Sequence, residues 1–316
     1  MTPRVSVGMP TYNGARYLRQ AIDSVLAQDL DDLELVISDN GSDDATEAIA
    51  TAAAGADPRI RYERAPVNRG AAWNYNRVLE LARAPLFKWA ADDDVCGPAF
   101  LRRCVDELEL SPSAVLAFPR TTLIDADGQP MGDLDDDDLD LRGADPVDRL
   151  AQLLRHRVEW HPVFGVIRTE RLRSTRGIGS FPLADIAVLA ELALAGEFHQ
   201  VPERLFLRRY HDRRSIAANP SFKAHAAWYV PDRRSARPVL PNARLVRELL
   251  VRAGEAPLRP ATRARTAAAV LRHWALPHWR HIGGEVKIAV REMRPGAGVV
   301  GPGPQVDQGS SGHPSG

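Results

Sequence analysis

Apolar residues along the first hundred positions fall in short runs that alternate between strand-like and helix-like spacing. Val5-Ser6-Val7-Gly8-Met9 reads as a short strand closed by Pro10, and Thr11-Tyr12-Asn13-Gly14 supplies turn residues after it. Tyr17, Leu18, Ala21, Ile22, Val25 and Leu26 then keep one face at helical spacing, which predicts a helix over about 16–27. A second strand over 33–38 ends in Asp39-Asn40-Gly41-Ser42-Asp43-Asp44, where Ser42 or Asp43 can cap a helix over about 44–54. A weaker strand over 59–64 follows. Asn68-Arg69-Gly70 then leads into a helix over about 71–82, and a buried strand spans 86–91. Strand and helix thus alternate four times, the pattern of a mostly parallel sheet with helices on both faces. Such sheets bind ligands beyond the carboxyl ends of their strands. The residues at that edge are polar: Thr11 and Tyr12, then Asp39, then Asp92-Asp93-Asp94.

The second half is less regular. It predicts a helix over 98–109, strands over 114–118 and 121–124, and an amphipathic helix over 146–156. A strand over 160–168, a short helix over 169–173 and a helix over 183–191 follow; the last is apolar enough to require burial. A strand over 205–211 ends in His211, and alternation along it sends Arg208 and Arg209 to opposite faces, so at most one of them meets a pocket. The acidic run 133–140 has Asp138 and Ala144 where a calcium loop would place Gly and Glu, and reads as a solvated or mobile loop. Beyond Ser215 the pattern becomes Arg-rich helices over 242–253, 261–274 and 286–293, with Trp228, Trp274 and Trp279 in or beside them. From Pro295 onward Gly, Pro and Ser dominate, and that tail cannot bury enough apolar surface to fold. The expected organisation is a nucleotide-type domain over 1–215, a helical extension over 216–294 and a disordered tail over 295–316.

Composition narrows the function classes. Lys+Arg and Asp+Glu both total 41, so the chain lacks the basic excess of a bulk nucleic-acid binder. Acids concentrate before about Asp148 and arginines after it, which leaves room for an anionic partner or a membrane surface at the C-terminal part. Cys96 and Cys104 form neither a disulfide framework nor a zinc pattern, which fits a reducing compartment. The N-terminus lacks the apolar core of a signal peptide, and the longest apolar stretch, 183–195, carries Asp185 and Glu191. The expectation is a cytoplasmic protein, at most peripheral to a membrane.

The candidate chemistry centres on Asp92-Asp93-Asp94. Adjacent carboxylates repel one another, and two readings compensate them: a hard divalent cation, or solvent at the N-terminal turn of the next helix. The company of Thr11, Tyr12 and Asp39 at the same sheet edge favours the cation. No G-x-G-x-x-G and no P-loop occurs in this half, so a metal would have to balance phosphate charge.

The segments 5–14, 21–28 and 35–46, with Asn68-Arg69-Gly70 and the acidic triplet, keep one order and register that resembles glycosyltransferase family 2. The resemblance is close over residues 4 to about 105 and looser to about 215. It implies a GT-A fold of the α/β class, a nucleoside-diphosphate sugar donor, UDP- or dTDP-linked, and Mn2+ or Mg2+. It further implies that Tyr12, with Pro10 and Thr11, packs against the base, that Asp39 hydrogen-bonds the base, and that Arg69 helps hold the nucleotide. Asp92 and Asp93 would serve the nucleotide and Asp94 and Asp92 the metal. An aromatic ring can stack on a base and a carboxylate can accept its N–H. The bland alternatives are a turn aromatic at Tyr12 and an Asx-turn or cap at Asp39. Ala91 stands where the family's first Asp is expected, which leaves open how the three acids divide ribose and metal. Asp185, at the start of the apolar helix, matches the family's base and equally suits a helix cap. His211 would reach the metal or diphosphate, or else sit at a surface strand end. The implied reaction is inverting sugar transfer to a hydroxyl of a glycan or lipid-linked acceptor, with the C-terminal helices either capping the domain or lying on an anionic membrane. The alternatives are an inert nucleotide-binding or assembly module, and a sugar nucleotidyltransferase, which would want a Gly-rich basic loop where Pro10-Thr11-Tyr12-Asn13 stands.

Overall fold

The computed structural model describes residues 2–134, 137–156, 159–212, 227–229 and 240–292. The expected 215/216 boundary and the tail 295–316 lie outside them. One sheet organises the chain. Strands β1 (Val5–Thr11), β2 (Leu33–Asp39), β3 (Ile60–Arg64) and β4 (Leu86–Trp89) form a parallel half in the order β3-β2-β1-β4. Beyond β4 the order continues through β8 (Val166–Arg168), β6 (Ala114–Ile124) and β9 (Glu197–Arg209) to β5 (Val95–Cys96), with β7 (Pro130–Asp133) paired to β6. β8 runs antiparallel to both its neighbours and β5 antiparallel to β9, whereas β6 and β9 are parallel. The sheet is therefore mixed and mostly parallel, as the alternating pattern predicts.

The period-two alternation of the strands sorts the core into two layers. Leu35 and Ile37 of β2 join Val5, Val7 and Met9 under α1 (Leu18–Leu26), α2 (Thr46–Ala56) and α4 (Phe100–Leu110). Val36, with Phe87 and Trp89 of β4, faces the opposite layer. That layer holds α3 (Ala71–Leu81), α5 (Pro146–Arg155), the short α6 (Thr169–Arg173) and α7 (Ala184–Ala195). Five consecutive residues of α7, Ile186 to Ala190, are buried, so this helix is enclosed on all sides, as its apolar sequence requires. α8 (Pro241–Glu255), α9 (Pro260–Val270) and α10 (Trp279–Glu292) follow, with a π-helical turn Leu271–Ala275 between the last two. Leu245, Leu249, Val270 and Trp274 from these helices belong to the same apolar cluster as α5 and α7. Arg252 of α8 forms an ion pair with Glu191 and donates to the Ala187 carbonyl at 3.3 Å, so the extension is clamped to the helix that carries Asp185.

Several elements differ from the sequence expectations. The segment 114–124 is one strand, not two. Its Pro119 sits at a register irregularity against β9, where a missing N–H does little harm. The segment 160–168 is a 3-10 turn, His161–Phe164, followed by β8. Pro162 opens that turn, and the backbone at Gly165 approaches β6 so closely that a Cβ would lie 2.6 Å from the Ala117 carbonyl. Strand β5 has no local signature, because its partner lies more than a hundred residues away in β9. The acidic run is only partly solvated. Asp138 bonds His156 at 2.8 Å, Asp140 accepts the Gln200 N–H at 2.8 Å, and Leu139 is fully buried. The cap expected at Ser42 or Asp43 is not made: the helix starts at Thr46 with Ala45 as its N-cap and no side-chain cap bond, and Asp44, one residue earlier, accepts the Thr46 N–H at 2.9 Å.

Gly8, in the middle of β1, shows how tightly α3 is seated. A Cβ there would stand 2.8 Å from both Phe87 and Val78. Gly8→Ala overpacks this layer and is expected to lower stability by roughly 1–3 kcal/mol, read as a shift in the urea midpoint at unchanged slope. An unshifted midpoint would mean that α3 moves away freely.

Candidate active site

The carboxyl ends of β1 and β2 carry loops that are laced together by their own polar side chains. Asn13, one of two non-glycine residues with positive φ among the described residues, accepts the Asp43 N–H at 3.0 Å and donates its backbone N–H to Ser42 Oγ at 2.9 Å. Gly14 N–H reaches Thr46 Oγ1 at 3.0 Å, and Ala15 N–H reaches Asp44 at 3.1 Å. Asn40 receives the Arg69 N–H at 2.9 Å and donates to the Asn68 side chain at 3.0 Å and the Gly70 carbonyl at 3.2 Å. Asn74 of α3 ties the Thr11 and Ser38 carbonyls together at 3.2 and 2.9 Å. Gly41 needs its φ of +75° to turn under Val67. Much of the motif that marks this edge in sequence therefore builds the edge.

On that frame Tyr12 presents a ring that is 44% exposed, and Pro10 and Thr11 are buried in β1. Arg69 is exposed and stacks over Trp73 at 4.3 Å. Asp39 is fully buried. One of its oxygens accepts Ser42 N–H at 2.8 Å and Ser42 Oγ–H at 2.6 Å, and the other accepts the Tyr62 hydroxyl at 2.9 Å and lies 3.3 Å from Arg64 Nε. An incoming donor would compete with these partners; Arg64 is the exposed one, and it also donates to the Ser42 carbonyl at 2.8 Å and pairs with Glu47 at 3.3 Å.

The acidic triplet leaves β4 and crosses to β5 at the far side of the sheet, so each carboxylate meets a different element. Thr11 Oγ1–H donates to Asp92 at 2.5 Å. His211 Nε2 lies 2.9 Å from Asp93, which commits that nitrogen to a carboxylate. The backbone N–H of Arg209 donates to Asp94 at 2.8 Å. The Arg209 guanidinium, stacked on Tyr17 at 4.5 Å, locks the loop from beneath through the Asp93 carbonyl at 2.8 Å and Gln20 at 2.7 Å. Alternation holds at the end of β9: Arg209 is structural, and Arg208 turns to the other face, where it pairs with Glu159 at 2.8 Å. Glu159 also accepts the Tyr210 hydroxyl.

Asp185 lies in the first turn of α7, with its Oδ1 3.0 Å from the Ile186 N–H. It is not the N-cap. That place falls to Leu183, whose φ of +70° is left-handed backbone that a bulky residue adopts at some cost. Burial pushes the Asp185 carboxyl above the ordinary carboxylate range, opposed by the Ile186 N–H and the charge of Arg208. Asp185 and the triplet thus feel the same arginine. Tyr75 and Tyr229 line this space too, and burial holds both phenols protonated, with the triplet acting on Tyr75 and Asp185 on Tyr229. Sequence reading missed Glu159, Tyr75 and Tyr229; none stands in a local motif, and only the alternation of β9 pointed to Arg208. A separate cleft lined by Leu108, Glu109, Arg168 and Arg171 opens near the amino end of β4, away from all these groups.

Among the described residues, no three His, Cys, Asp or Glu side chains are set to hold a metal ion. The donor set still suits a hard cation, because Mg2+ and Mn2+ sites often use one or two carboxylates and complete their shell with phosphate and water. The electrostatics agree. Burial first, and then Asp93, raises both Asp92 and Asp94 well above the usual carboxylate range. The unfolded chain releases these protons at about pH 4, whereas the folded protein keeps them to higher pH. The unfolded state therefore binds fewer protons in that window, and this pair makes stability fall as pH rises through it. Asp92→Asn is expected to flatten that fall. Melting temperature measured in chelator from about pH 4 to about pH 8 checks it, and parallel curves for the two proteins would show that Asp92 ionises as a solvated acid does.

Comparison with known proteins agrees with this fold. The profile described as glycosyl transferase family 2 matches residues 6–168. An uncharacterised glycosyltransferase of Rickettsia typhi is 33% identical over 125 residues, 39% of this chain and 38% of that protein. The chondroitin synthase of Escherichia coli is 30% identical over 126 residues, 40% of this chain and 18% of the synthase. The aligned part thus spans well under half the length of these curated relatives. Among solved structures, residues 1–349 of TarS from S. aureus in complex with UDP-GlcNAc superpose with a TM-score of 0.66 at 14% identity, covering 92% of this chain and 82% of that one. The mannosyltransferase PcManGT from Pyrobaculum calidifontis, in complex with GDP-Man and Mn2+, superposes with a TM-score of 0.52 at 19% identity, covering 92% and 86%. A GT-A-like mixed sheet, an acidic loop at its carboxyl edge and a profile match across more than half the chain lead to one assignment: this chain belongs to glycosyl transferase family 2.

Proposed function

We propose that the protein transfers a sugar from a nucleoside-diphosphate sugar, UDP- or dTDP-linked, to a hydroxyl of a glycan or lipid-linked acceptor, with inversion at the anomeric carbon. What supports this reading is that Arg208, paired with Glu159, acts by its charge on both Asp94 of the acidic loop and Asp185. The bound donors of TarS and PcManGT support a nucleotide sugar as the donor class.

In this reading the exposed ring of Tyr12 stacks on the base, Asp39 accepts from the base edge once Arg64 gives way, and Arg69 contacts the nucleotide. Asp93 and Asp92 serve the ribose side. Asp94 and Asp92 would hold Mn2+ or Mg2+, with His211 near enough to exchange Asp93 for the metal or diphosphate. Bound there, the cation would neutralise charge on the departing diphosphate. Arg208 adds a second, permanent positive charge beside the same acids. Asp185 accepts the proton of the acceptor hydroxyl as that oxygen attacks. Burial raises its affinity for a proton, which makes it a better base, and the charge of Arg208 opposes that rise by favouring the ionised form. Buried phenols at Tyr75 and Tyr229 add polar groups near these acids without adding charge.

Binding and chemistry should separate by residue. A thermal-shift panel of nucleotide sugars with and without Mn2+ is expected to show metal-dependent stabilisation of the parent protein. Asp185→Asn should keep that shift and lose about 10²–10⁴ in turnover, followed as release of nucleoside diphosphate. Asp94→Asn should lose the shift itself. A parent protein that no nucleotide sugar stabilises would favour an inert assembly module, and full turnover in Asp185→Asn would move the base elsewhere.

A further inference from the structure

The last described helix buries one face and leaves a second, apolar one exposed. On α10, Glu285 and Ala289 are 4% exposed. Glu285 accepts the Asn242 N–H at 3.0 Å and the Asn242 side chain at 2.7 Å, which fastens α10 to the start of α8. About a quarter turn round the helix, Trp279, Val286 and Val290 stand at i, i+7 and i+11 and share a second face. They are 62%, 46% and 46% exposed. Leu276, one turn upstream, is 65% exposed. Arg280 and Lys287 follow Trp279 and Val286 directly and so edge this stripe, and Arg280 lies 5.4 Å from the centre of the Trp279 ring.

The charge around the stripe is of one sign. From Leu271 to Val290 the sole acid is Glu285, which is turned inward, while Arg272, Arg280 and Lys287 are exposed. The described residues 240–292 carry ten Arg and Lys against four Glu. A stripe meant for a second copy of this chain would bring like charges together at its rim. An exposed indole and aliphatic side chains bordered by cations instead fit an interface where acyl chains meet anionic headgroups. No helix among the described residues is long and apolar enough to cross a membrane, so the contact would lie along the surface.

We propose that the Leu276–Val290 face of the C-terminal helices is a docking surface for an anionic lipid bilayer, with Trp279, Val286 and Val290 entering the headgroup layer and Arg280 and Lys287 pairing with lipid phosphates. The inference does not depend on the proposed sugar transfer, since vesicle binding is read without nucleotide or acceptor. Co-sedimentation of the full chain with vesicles of phosphatidylglycerol and phosphatidylcholine should exceed that with pure phosphatidylcholine by about tenfold or more. Val286→Glu/Val290→Glu should reduce binding to the mixed vesicles by about tenfold, with the far-ultraviolet circular dichroism and melting temperature of the parent. Arg280→Gln/Lys287→Gln should abolish the preference for the anionic lipid. Sedimentation with neither vesicle, equal binding to both, or undiminished binding of the Val286/Val290 variant each overturns the proposal. A parent protein that ignores vesicles but dimerises in solution, and loses the dimer in that variant, would assign the face to a second copy of the chain.

Discussion

Three consecutive carboxylates held in a half-buried loop are the constraint around which the fold is arranged. Such a loop survives only if each acid receives a donor, and no single neighbouring element can supply three. The chain solves this by carrying Ala90 to Asp94 across the sheet, from β4 to a short pairing of β5 with β9. Thr11 at the end of β1 then meets Asp92, the backbone of Arg209 in β9 meets Asp94, and His211 just beyond meets Asp93. Hydrogen bonds to charged groups contribute roughly 1.5–3 kcal/mol each. They leave part of the electrostatic cost of burial in place, as the raised Asp92 and Asp94 record. The loop thus joins the parallel half of the sheet to the mixed half and concentrates unbalanced negative charge where they meet.

The polar residues of the other edge loops have a different task. Asn13, Asn40, Asn68, Asn74, Ser42, Asp44 and Thr46 bond mainly to one another and to backbone groups of neighbouring loops. Asp39 is drawn into the same lacing through Ser42 and Tyr62. What remains on the outside is small: the Tyr12 ring, the Arg69–Trp73 stack and Arg64. Rigid loops at the carboxyl edge are what a diphosphate-binding site needs, since misplacement by about an ångström can cost on the order of 10²-fold in rate.

The C-terminal helices reach this edge indirectly. Arg252 grips α7 through Glu191 and the Ala187 carbonyl, and Asp185 lies in the first turn of the same helix, two residues before Ala187. Leu245, Leu249 and Trp274 share a core with α5 and α7, so the helix bearing the candidate base is packed from both sides. The outer surface of α10 has no such partner among the described residues, and its apolar and basic side chains are left to solvent.

Local periodicity by itself determined most of the architecture. Strands β1 to β4 and helices α1 to α4 are legible because their apolar faces repeat every two or 3.6 residues, and that repetition is set within a dozen positions. The same reading brought Tyr12, Asp39 and the acidic triplet to one sheet edge, because parallel topology aligns carboxyl ends. It also sent Arg208 and Arg209 to opposite faces. It misjudged 160–168, where Pro162 opens a 3-10 turn inside an apolar run, and it divided β6 at a proline that a register irregularity absorbs. It had no means of finding Glu159, Tyr75 or Tyr229, nor β5. Those depend on contacts such as Arg209 with Asp94, 115 residues apart, which no repeating pattern encodes. The tertiary structure also decided that Asp39 is enclosed, that Arg209 rather than Arg208 is structural, and that Asp185 sits inside the first turn of its helix beside the charge of Arg208. Each follows from which elements stack against which, because burial and neighbouring charge are properties of packing, and packing is fixed only when distant parts of the chain meet.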